Sequence, residues 1–515
     1  MDPALEKRLK RQIIGKTHRF LAVAPLGFEQ TLVSEFKAIG IETASEPTHS
    51  AEDFRIVGDG KVEFTAKIAE AWKAVAYSRI ANRVLMHIAE FKAENFREFE
   101  KKASEIPWEL FLDRYAAQSE TRSNTAATVI QSNAIIYETR GFSPLVELGS
   151  KEQDPVKFTN ALNIHVTCKH SRLYHSDAIA ERLYKVIKGV SVPLATADTA
   201  SATPSAGTPR NAPLQNLYVN FLDDRCTIWL DLAGEELYKR GHERFVNDAP
   251  LKETIASAMI FEAIDTVSPR EITLIDPMSG SGTFSLEAAY TANKLIPGVC
   301  RDFALKHQPA FKEATWNFIT RSVTLNDTRG DTSTSVTLNE VKGPVKSCNA
   351  TKLPFIARIV TSDISERAVS IIKHNIECCP LASIAPNGNL PTIAPQLHDF
   401  FSYTAKEIAD ICGDSSPIIV LNPPYGKRLD FDAPKLYTKI GQKLTELARD
   451  LHHFGKDLTI AILAPKDDTR NGARYTCTAN LLRECPALSS ENNSAAKLIV
   501  TSHGGLTLNS LIAKI

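Results

Sequence analysis

No stretch of this 515-residue chain reaches the roughly 18 to 20 consecutive apolar residues that a membrane helix needs. The N-terminus carries Glu6, Lys7, Arg8 and Arg11 and has no apolar segment of the length a secretory signal requires. A cytoplasmic protein without a membrane partner is therefore expected. Nine cysteines are present, but no Cys-x-x-Cys pair and no zinc spacing; only Cys378 and Cys379 are adjacent. The odd count and scattered positions predict reduced thiols and no metal. Net charge is absent too, with 60 basic and 60 acidic residues, so bulk electrostatics gives no sign of a nucleic-acid binder. Any such surface must be a local patch. Three basic clusters qualify: Lys7 to Arg11, Lys239-Arg240 with His242 and Arg244, and Lys427-Arg428, each of which also reads as a solvated polar face.

Hydrophobic content of 43% and charged content of 23% fit a globular protein, and the length calls for two or three domains. The N-terminal part mixes strand and helix patterns, an α+β arrangement. Residues 20–24 read as a strand, and Gly27-Phe28-Glu29 opens a helix through Leu32, Phe36 and Ile39 that Gly40 ends. Residues 62–64 read as a strand. Residues 66–91 carry apolar side chains at three- and four-residue spacing and predict one long helix. Residues 125–131 and 217–231 read as strands. Residues 195–213, rich in Ala, Thr, Ser and Pro, read as a flexible insertion. A second insertion, 320–354, contains a near repeat: Ser322 to Asp327 recurs as Ser335 to Glu340. One echo is too few for a stacked array. From Pro250 onward strands and helices alternate: strands at 272–275, 356–361, 417–421 and 458–463, helices at 282–293, 366–378 and 436–453. This alternation predicts a Rossmann-like α/β domain with a mostly parallel sheet and helices on both faces. Such sheets bind ligands beyond the carboxyl ends of their strands.

Two motifs lie at expected strand ends. Asp276-Pro277-Met278-Ser279-Gly280-Ser281-Gly282-Thr283 follows an apolar run and opens a helix. Its glycines let the backbone approach a ligand, and the helix directs free N–H groups at it. A dinucleotide fingerprint would place a third glycine at 285; this chain has Ser285. Asp363 follows the next strand and can accept from ribose hydroxyls, or cap the helix before Glu366. Asp399, in His398-Asp399-Phe400-Phe401, can accept from an adenine amino group with Phe400 packing on the ring; otherwise it is an exposed turn residue. The second motif is Asn422-Pro423-Pro424-Tyr425-Gly426. Two prolines stiffen the backbone. The Asn422 side-chain oxygen and the Pro423 carbonyl offer two acceptors to an exocyclic NH2. Tyr425 offers a face for a planar base. Holding both N–H bonds takes the nitrogen lone pair out of conjugation and aims it at a methyl sulfonium, so the gain is alignment.

These residues resemble the class I methyltransferases that use S-adenosylmethionine to modify amino groups of bases. The segment 230–241, the helix start at 249–254 and the segment 78–85 are similar to bacterial 23S rRNA guanine-N2-methyltransferases with a THUMP domain; 78–85 resembles that family's THUMP-region helix. The resemblance implies S-adenosylmethionine as cofactor and RNA as partner, 23S rRNA or a large-subunit assembly intermediate. It implies a ferredoxin-like N-terminal subdomain at 1–75, a THUMP RNA-binding domain at 76–235 and a methyltransferase domain at 236–515. By the same resemblance Asp276, Pro277, Ser279, Gly280, Gly282 and Thr283 hold the cofactor, with Asp363 on its ribose and Asp399 on its adenine. Asn422, Pro423, Pro424 and Tyr425 take the target guanine. Arg79, Arg83, Lys239, Arg240, Lys427 and Arg428 are assigned to RNA. Ser279 stands where the family usually has cysteine. The chain's last hairpin, near Gly504-Gly505, implies no second catalytic domain after it. A tRNA guanine-N2-methyltransferase, an adenine-N6-methyltransferase and a non-catalytic ribosome assembly factor share many of these features.

Overall fold

A computed structural model describes residues 2–44, 53–112, 156–159, 162–190, 215–246, 250–267, 271–321, 356–383, 392–425, 432–467 and 476–515. The readings at 125–131, 195–213, Lys427, Arg428 and the sequence repeat lie outside these residues.

The first half runs α1 (Pro3–Leu9), a π-helical turn at Lys10–Ile14, β1 (Thr17–Val23), α2 (Glu29–Ile39), β2 (Arg55–Gly58), β3 (Lys61–Lys67), α3 (Ile68–Tyr77) and β4 (Arg83–Lys92). It continues through α4 (Phe96–Ser104), β5 (Val156–Thr159), β6 (Leu162–Lys169), α5 (Ser176–Val190), β7 (Gln215–Leu222) and β8 (Arg225–Asp231). All eight strands join one sheet in the order β2-β3-β1-β4-β8-β7-β6-β5. Only the β6–β7 pair is parallel. α2 forms as expected: Leu32 and Phe36 fall one turn apart on its buried face, and Gly40 closes it at φ 74°, with the Ile41 N–H returning to the Phe36 carbonyl.

The expected helix over 66–91 is corrected. α3 stops at Tyr77, and 83–92 form β4, paired with β1 and β8. Ser78 takes extended backbone, and its hydroxyl donates to Glu35 Oε2 at 2.5 Å and accepts from the Ala81 N–H at 2.9 Å. Val84, Leu85 and Met86 suit either period; the flanking ladders decide for strand. The family-like segment 78–85 is thus a loop entering a strand, and the expected boundary at 75/76 falls inside α3.

The second half runs α6 (Glu253–Asp265), β9 (Ile272–Asp276), α7 (Thr283–Ala292), α8 (Glu313–Arg321), β10 (Ile356–Asp363), α9 (Glu366–Cys378), β11 (Gln396–Leu397) and α10 (Ala405–Cys412). It ends with β12 (Ser416–Leu421), α11 (Ala433–His452), β13 (Thr459–Pro465), α12 (Cys477–Glu484), β14 (Lys497–His503) and β15 (Leu506–Lys514). The seven strands lie in the order β11-β10-β9-β12-β13-β15-β14. β11 to β13 are mutually parallel; β15 is antiparallel to both neighbours. Alternate residues feed opposite cores. Leu274, Val420, Ala461 and Leu463 pack with α6 and α7, whereas Ile275, Leu421, Ile460 and Ile462 pack with α10 to α12. That is the two-sided burial expected of such a sheet. The chain runs outward from β9 to β10 and β11, then returns to β12 on the other flank of β9. The crevice at this reversal, beyond the carboxyl ends of β9 and β12, is where open α/β sheets bind ligands. Among the described residues no helix is long and apolar enough to cross a membrane.

The two halves share a core. One apolar cluster extends from Phe20, Leu32 and Phe36 through Ile255 and Met259 to Phe284.

Candidate functional site

β9 delivers Asp276 to the crevice with 1% of its surface exposed. Its Oδ2 accepts from the Ser285 hydroxyl at 2.7 Å and the Ser285 N–H at 3.3 Å. Its Oδ1 is buried without a partner. Burial, with the Asp363 charge adding to it, pushes this carboxyl up to about 7 against the pull of the Ser285 bonds. The residue found in place of a third glycine thus holds the first carboxylate, and Thr361 Oγ1 in turn donates to Ser285 Oγ at 2.7 Å.

After Asp276 the backbone folds back on itself. Ser279 N–H and Oγ both donate to the Ser362 carbonyl, at 3.1 and 2.8 Å. The Gly280 N–H donates to Asp363 Oδ2 at 2.9 Å. The two glycines have different reasons to be glycine. Gly282, at φ 78°, opens α7, and a Cβ there would lie 3.1 Å from the Ile372 side chain. Gly280, at φ 55°, faces open space. Asp363 ends β10, and its Oδ1 accepts from the Ser365 N–H at 2.9 Å. The cap of α9 is Ser365 itself. Each Asp363 oxygen keeps a second lone pair for a hydroxyl.

Asp399 caps a short turn by accepting from the Phe401 N–H at 3.1 Å through Oδ1. The stacking role expected of Phe400 is corrected: Phe400 is buried against Ile275 and Tyr403. The apolar surface beside Asp363 comes instead from Ile364 and Leu397, 72% and 55% exposed. The ladder pairs Asp363 with Leu397, so these side chains flank one strand end.

β12 leaves the same side of the sheet. Its register with β9, Ile418 on Leu274 and Ile419 on Ile275, brings Asn422 out beside the glycine loop. Asn422 Oδ1 is buried and has no partner. Pro423 is buried, Pro424 exposed and Tyr425 half-buried against the core beneath. Gly280 and Pro423 therefore belong to loops from adjacent parallel strands at one edge. Two neighbouring strand ends each present a buried acceptor that the protein leaves unsatisfied. That arrangement fits a ligand carrying N–H donors, since orphaned buried acceptors are rare and costly.

The expected RNA contacts fare differently. Arg79 donates to the Tyr290 carbonyl at 3.0 Å and to that of Leu295, and lies 3.6 Å from Glu287. Arg83 pairs with Asp231 at 2.5 Å and caps the Gly234 carbonyl at 3.1 Å. Arg240, 4% exposed, grips both Glu287 oxygens at 3.0 Å. These three are corrected to structural residues: each guanidinium is turned to partners inside the protein, although Arg79 Nη1 and Arg83 Nε have no hydrogen-bond partner of their own. Among those of the six that are described, Lys239 alone is exposed, paired loosely with Glu235.

Sequence reasoning gave no role in the site to two further residues. Arg244 donates to Ser281 Oγ at 3.2 Å, to Thr283 Oγ1 and to Glu253, tying the glycine loop to α6. Asn375 Nδ2 donates to the Ser281 carbonyl at 3.1 Å and the Phe245 carbonyl at 2.9 Å. Arg244 was visible only as part of a basic cluster, and nothing marked Asn375. Among the described residues there is no cluster of metal-ligating side chains.

Two family models match the chain. One, described as UPF0020, RMKL-like, methyltransferase domain, covers residues 240–455; the other, described as RlmL ferredoxin-like domain, covers 19–85. Ribosomal RNA large subunit methyltransferase K/L of Allochromatium vinosum is 25% identical over 437 residues, 83% of this chain and 46% of the relative. That of Syntrophotalea carbinolica is 26% identical over 432 residues, 83% and 47%. The chain thus spans about half the length of these relatives. YpsC of Bacillus subtilis (strain 168) is 24% identical over 438 residues, 84% of this chain and 86% of the relative. Two solved structures share the fold. SMU.472 complexed with SAH has a TM-score of 0.59 at 19% identity over 97% of this chain and 98% of that chain. A predicted N6-adenine-specific DNA methylase from Listeria monocytogenes has a TM-score of 0.57 at 18% identity over 96% of each.

Proposed function

We propose that this chain, in which an RMKL-like methyltransferase domain follows an RlmL ferredoxin-like domain, methylates RNA, transferring a methyl group from S-adenosylmethionine to the N2 amine of a guanine in 23S rRNA. The carrying observation is the buried, unpartnered Oδ1 of Asn422 at the carboxyl end of β12, beside the glycine loop of β9. A base amine satisfies that acceptor and is oriented by it.

When bound, the cofactor supplies an electrophilic methyl group. Asp363 accepts its ribose hydroxyls, Ile364 and Leu397 flank its adenine, and Asp399 Oδ2 accepts from the adenine amine. Asp276 Oδ1 and the turn from Pro277 through Ser279, Gly280, Gly282 and Thr283 enclose the amino-acid end. Asn422 Oδ1 and the Pro423 carbonyl hold the two N–H groups of the target, Pro424 stiffens the turn, and Tyr425 backs the ring. Proton loss follows methylation, when the nitrogen has become acidic, so no strong base is needed beforehand. The residues through 235 carry the RNA, with Lys239 at the junction and Lys427 and Arg428 following the substrate loop. A paired guanine must be extruded to reach Asn422.

The relatives named ribosomal RNA large subunit methyltransferase K/L favour rRNA over tRNA. The same acceptor pair would also hold an adenine amine. One experiment separates these readings: mass mapping of methylated nucleotides in rRNA and tRNA from cells carrying wild type, Asn422→Ala or no gene. We expect one 23S N2-methylguanine to vanish in the last two, while purified Asn422→Ala keeps its S-adenosylhomocysteine affinity within about threefold. An unchanged rRNA map with a lost tRNA mark or a lost N6-methyladenine overturns the substrate; full activity of Asn422→Ala overturns the role of that residue.

A further inference from the structure

Ser281 stands between two glycines that both take left-handed backbone, Gly280 at φ 55° and Gly282 at φ 78°. Glycine is the most conformationally permissive residue, so a Gly-Ser-Gly run does not fix its own path. This run nevertheless has to hold one shape to present its backbone on the open side of Gly280. The restraint comes from behind the loop. Three side chains of β10 and α9 meet it there. Asp363 Oδ2 accepts from the Gly280 N–H at 2.9 Å. Ile372 underlies Gly282, where a Cβ would come within 3.1 Å of it. Asn375, three residues on, donates from Nδ2 to the Ser281 carbonyl at 3.1 Å.

Asn375 does more than any other member of this support. It is 1% exposed, so water does not compete for its bonds. Its amide also clasps the backbone of Phe245 twice: Oδ1 accepts from the Phe245 N–H at 2.7 Å, and Nδ2 donates to the Phe245 carbonyl at 2.9 Å. Both N–H groups of the amide are thereby used, one on Phe245 and one on Ser281. Exchanging oxygen for nitrogen would set like against like in all three bonds, so the partners fix the orientation. The Phe245 ring lies flat on His374, with 3.9 Å between centroids and 8° between planes. Holding Phe245 also holds its neighbour. Arg244 reaches Ser281 Oγ at 3.2 Å and Thr283 Oγ1, with Glu253 as counter-ion. Ser281 is gripped at its carbonyl and at its hydroxyl, and both grips trace to Asn375.

We propose, resting on the reading that this loop holds S-adenosylmethionine, that Asn375 is a positioning residue for the cofactor: it fixes the Gly280–Gly282 backbone in the shape that receives the amino-acid end. Asn375 acts through Ser281 and does not itself meet the cofactor, since it stands on the protein side of the loop while Gly280 opens on the other. A support of this kind raises affinity by removing the cost of ordering the loop at binding. Its loss therefore falls on cofactor affinity, and saturating cofactor restores the shape.

The test compares the full wild-type chain with Asn375→Asp and Asn375→Ala. Asn375→Asp keeps the size of the side chain and the acceptor for the Phe245 N–H but loses both donated bonds; Asn375→Ala loses all three. S-adenosylhomocysteine binding is read by calorimetry. Methyl transfer from S-adenosylmethionine to total RNA from cells lacking the gene gives KM and kcat. We expect both variants to bind S-adenosylhomocysteine about tenfold or more weakly, and KM for S-adenosylmethionine to rise by a like factor. At saturating cofactor kcat stays within about twofold of wild type, and KM for RNA is unchanged. A residue that merely fills the core would instead lower kcat with the folded fraction and leave KM for S-adenosylmethionine alone; that result overturns the proposal. Wild-type S-adenosylhomocysteine affinity in either folded variant overturns it too, as does failure of both variants to fold. Failure of the wild type to bind S-adenosylhomocysteine overturns instead the reading of the loop as a cofactor site.

Discussion

Asp276 ends β9 fully enclosed, one oxygen bonded to Ser285 and the other to nothing. Its carboxyl sits near 7 in the fold but close to 4 in an unfolded chain. Below about pH 4 both states are protonated and the residue is neutral to stability. Between about 4 and 7 the unfolded chain ionises first, and each pH unit costs the ligand-free fold about 1.4 kcal/mol. Above 7 the penalty stays constant. Asp276→Asn should therefore raise the unfolding midpoint of the ligand-free protein at pH 8 and leave it nearly unchanged at pH 4. Equal midpoints at both values would remove the assigned burial. At this scale the sequence was readable for position at the strand ends. Asp276, Gly280, Asp363 and Asn422 all stand at one edge. It was unreadable for Arg79, Arg83 and Arg240, because a cation's letter does not reveal whether a carboxylate waits for it in the interior. Phe400 was misassigned for the same reason: an aromatic beside a candidate ligand residue can turn either way, and here Ile275 and Tyr403 draw it inward.

α7 shows how elements share duties. Its first turn carries the glycine loop, while Glu287, one turn on, accepts from Arg240 on two oxygens and from Ser257 at 2.7 Å, with Arg79 alongside. Burial raises the Glu287 carboxyl, and the Arg240 and Arg79 charges outweigh it, holding the group below its ordinary value. Removing one member of such a pair strands the other. Glu287→Ala should cost about 3–5 kcal/mol, read as a lower urea midpoint. A wild-type midpoint would mean the network is idle. Alternation of strand and helix patterns predicted the four longer parallel strands β9, β10, β12 and β13 and the helices α7, α9 and α11, because parallel strands buried on both faces leave continuous apolar runs, but it left α8, β11, α10 and α12 unread. β4 was lost to helix because Val84, Leu85 and Met86 fit both periods. Only ladders formed with β1 and with β8, nearly 150 residues onward in the chain, distinguish them.

The halves of the molecule meet along a tight seam. The loop at Gly27, φ 83°, presses on the edge strand β14, where a Cβ would run into the Val500 carbonyl and lie 2.9 Å from Ile499 Cγ2. Thr31 donates to Glu262 at 2.6 Å, and Lys497 binds Glu262 at 2.7 Å. Gly27→Ala should open this seam. We expect a lower first melting transition and a larger radius of gyration by solution scattering; an unchanged radius with an unchanged transition would show that the contact yields without consequence. None of this docking was legible beforehand, since a glycine required by a neighbour 473 positions away looks like any turn glycine.

The placement of Glu287 has a consequence for chimeras. Grafting a foreign N-terminal half onto the C-terminal half would delete Arg79 and leave a carboxylate short of countercharge one turn below the glycine loop. Exchange of modules in this architecture should therefore succeed only when the donor brings its own arginine to that spot, or when α7 is transplanted with it.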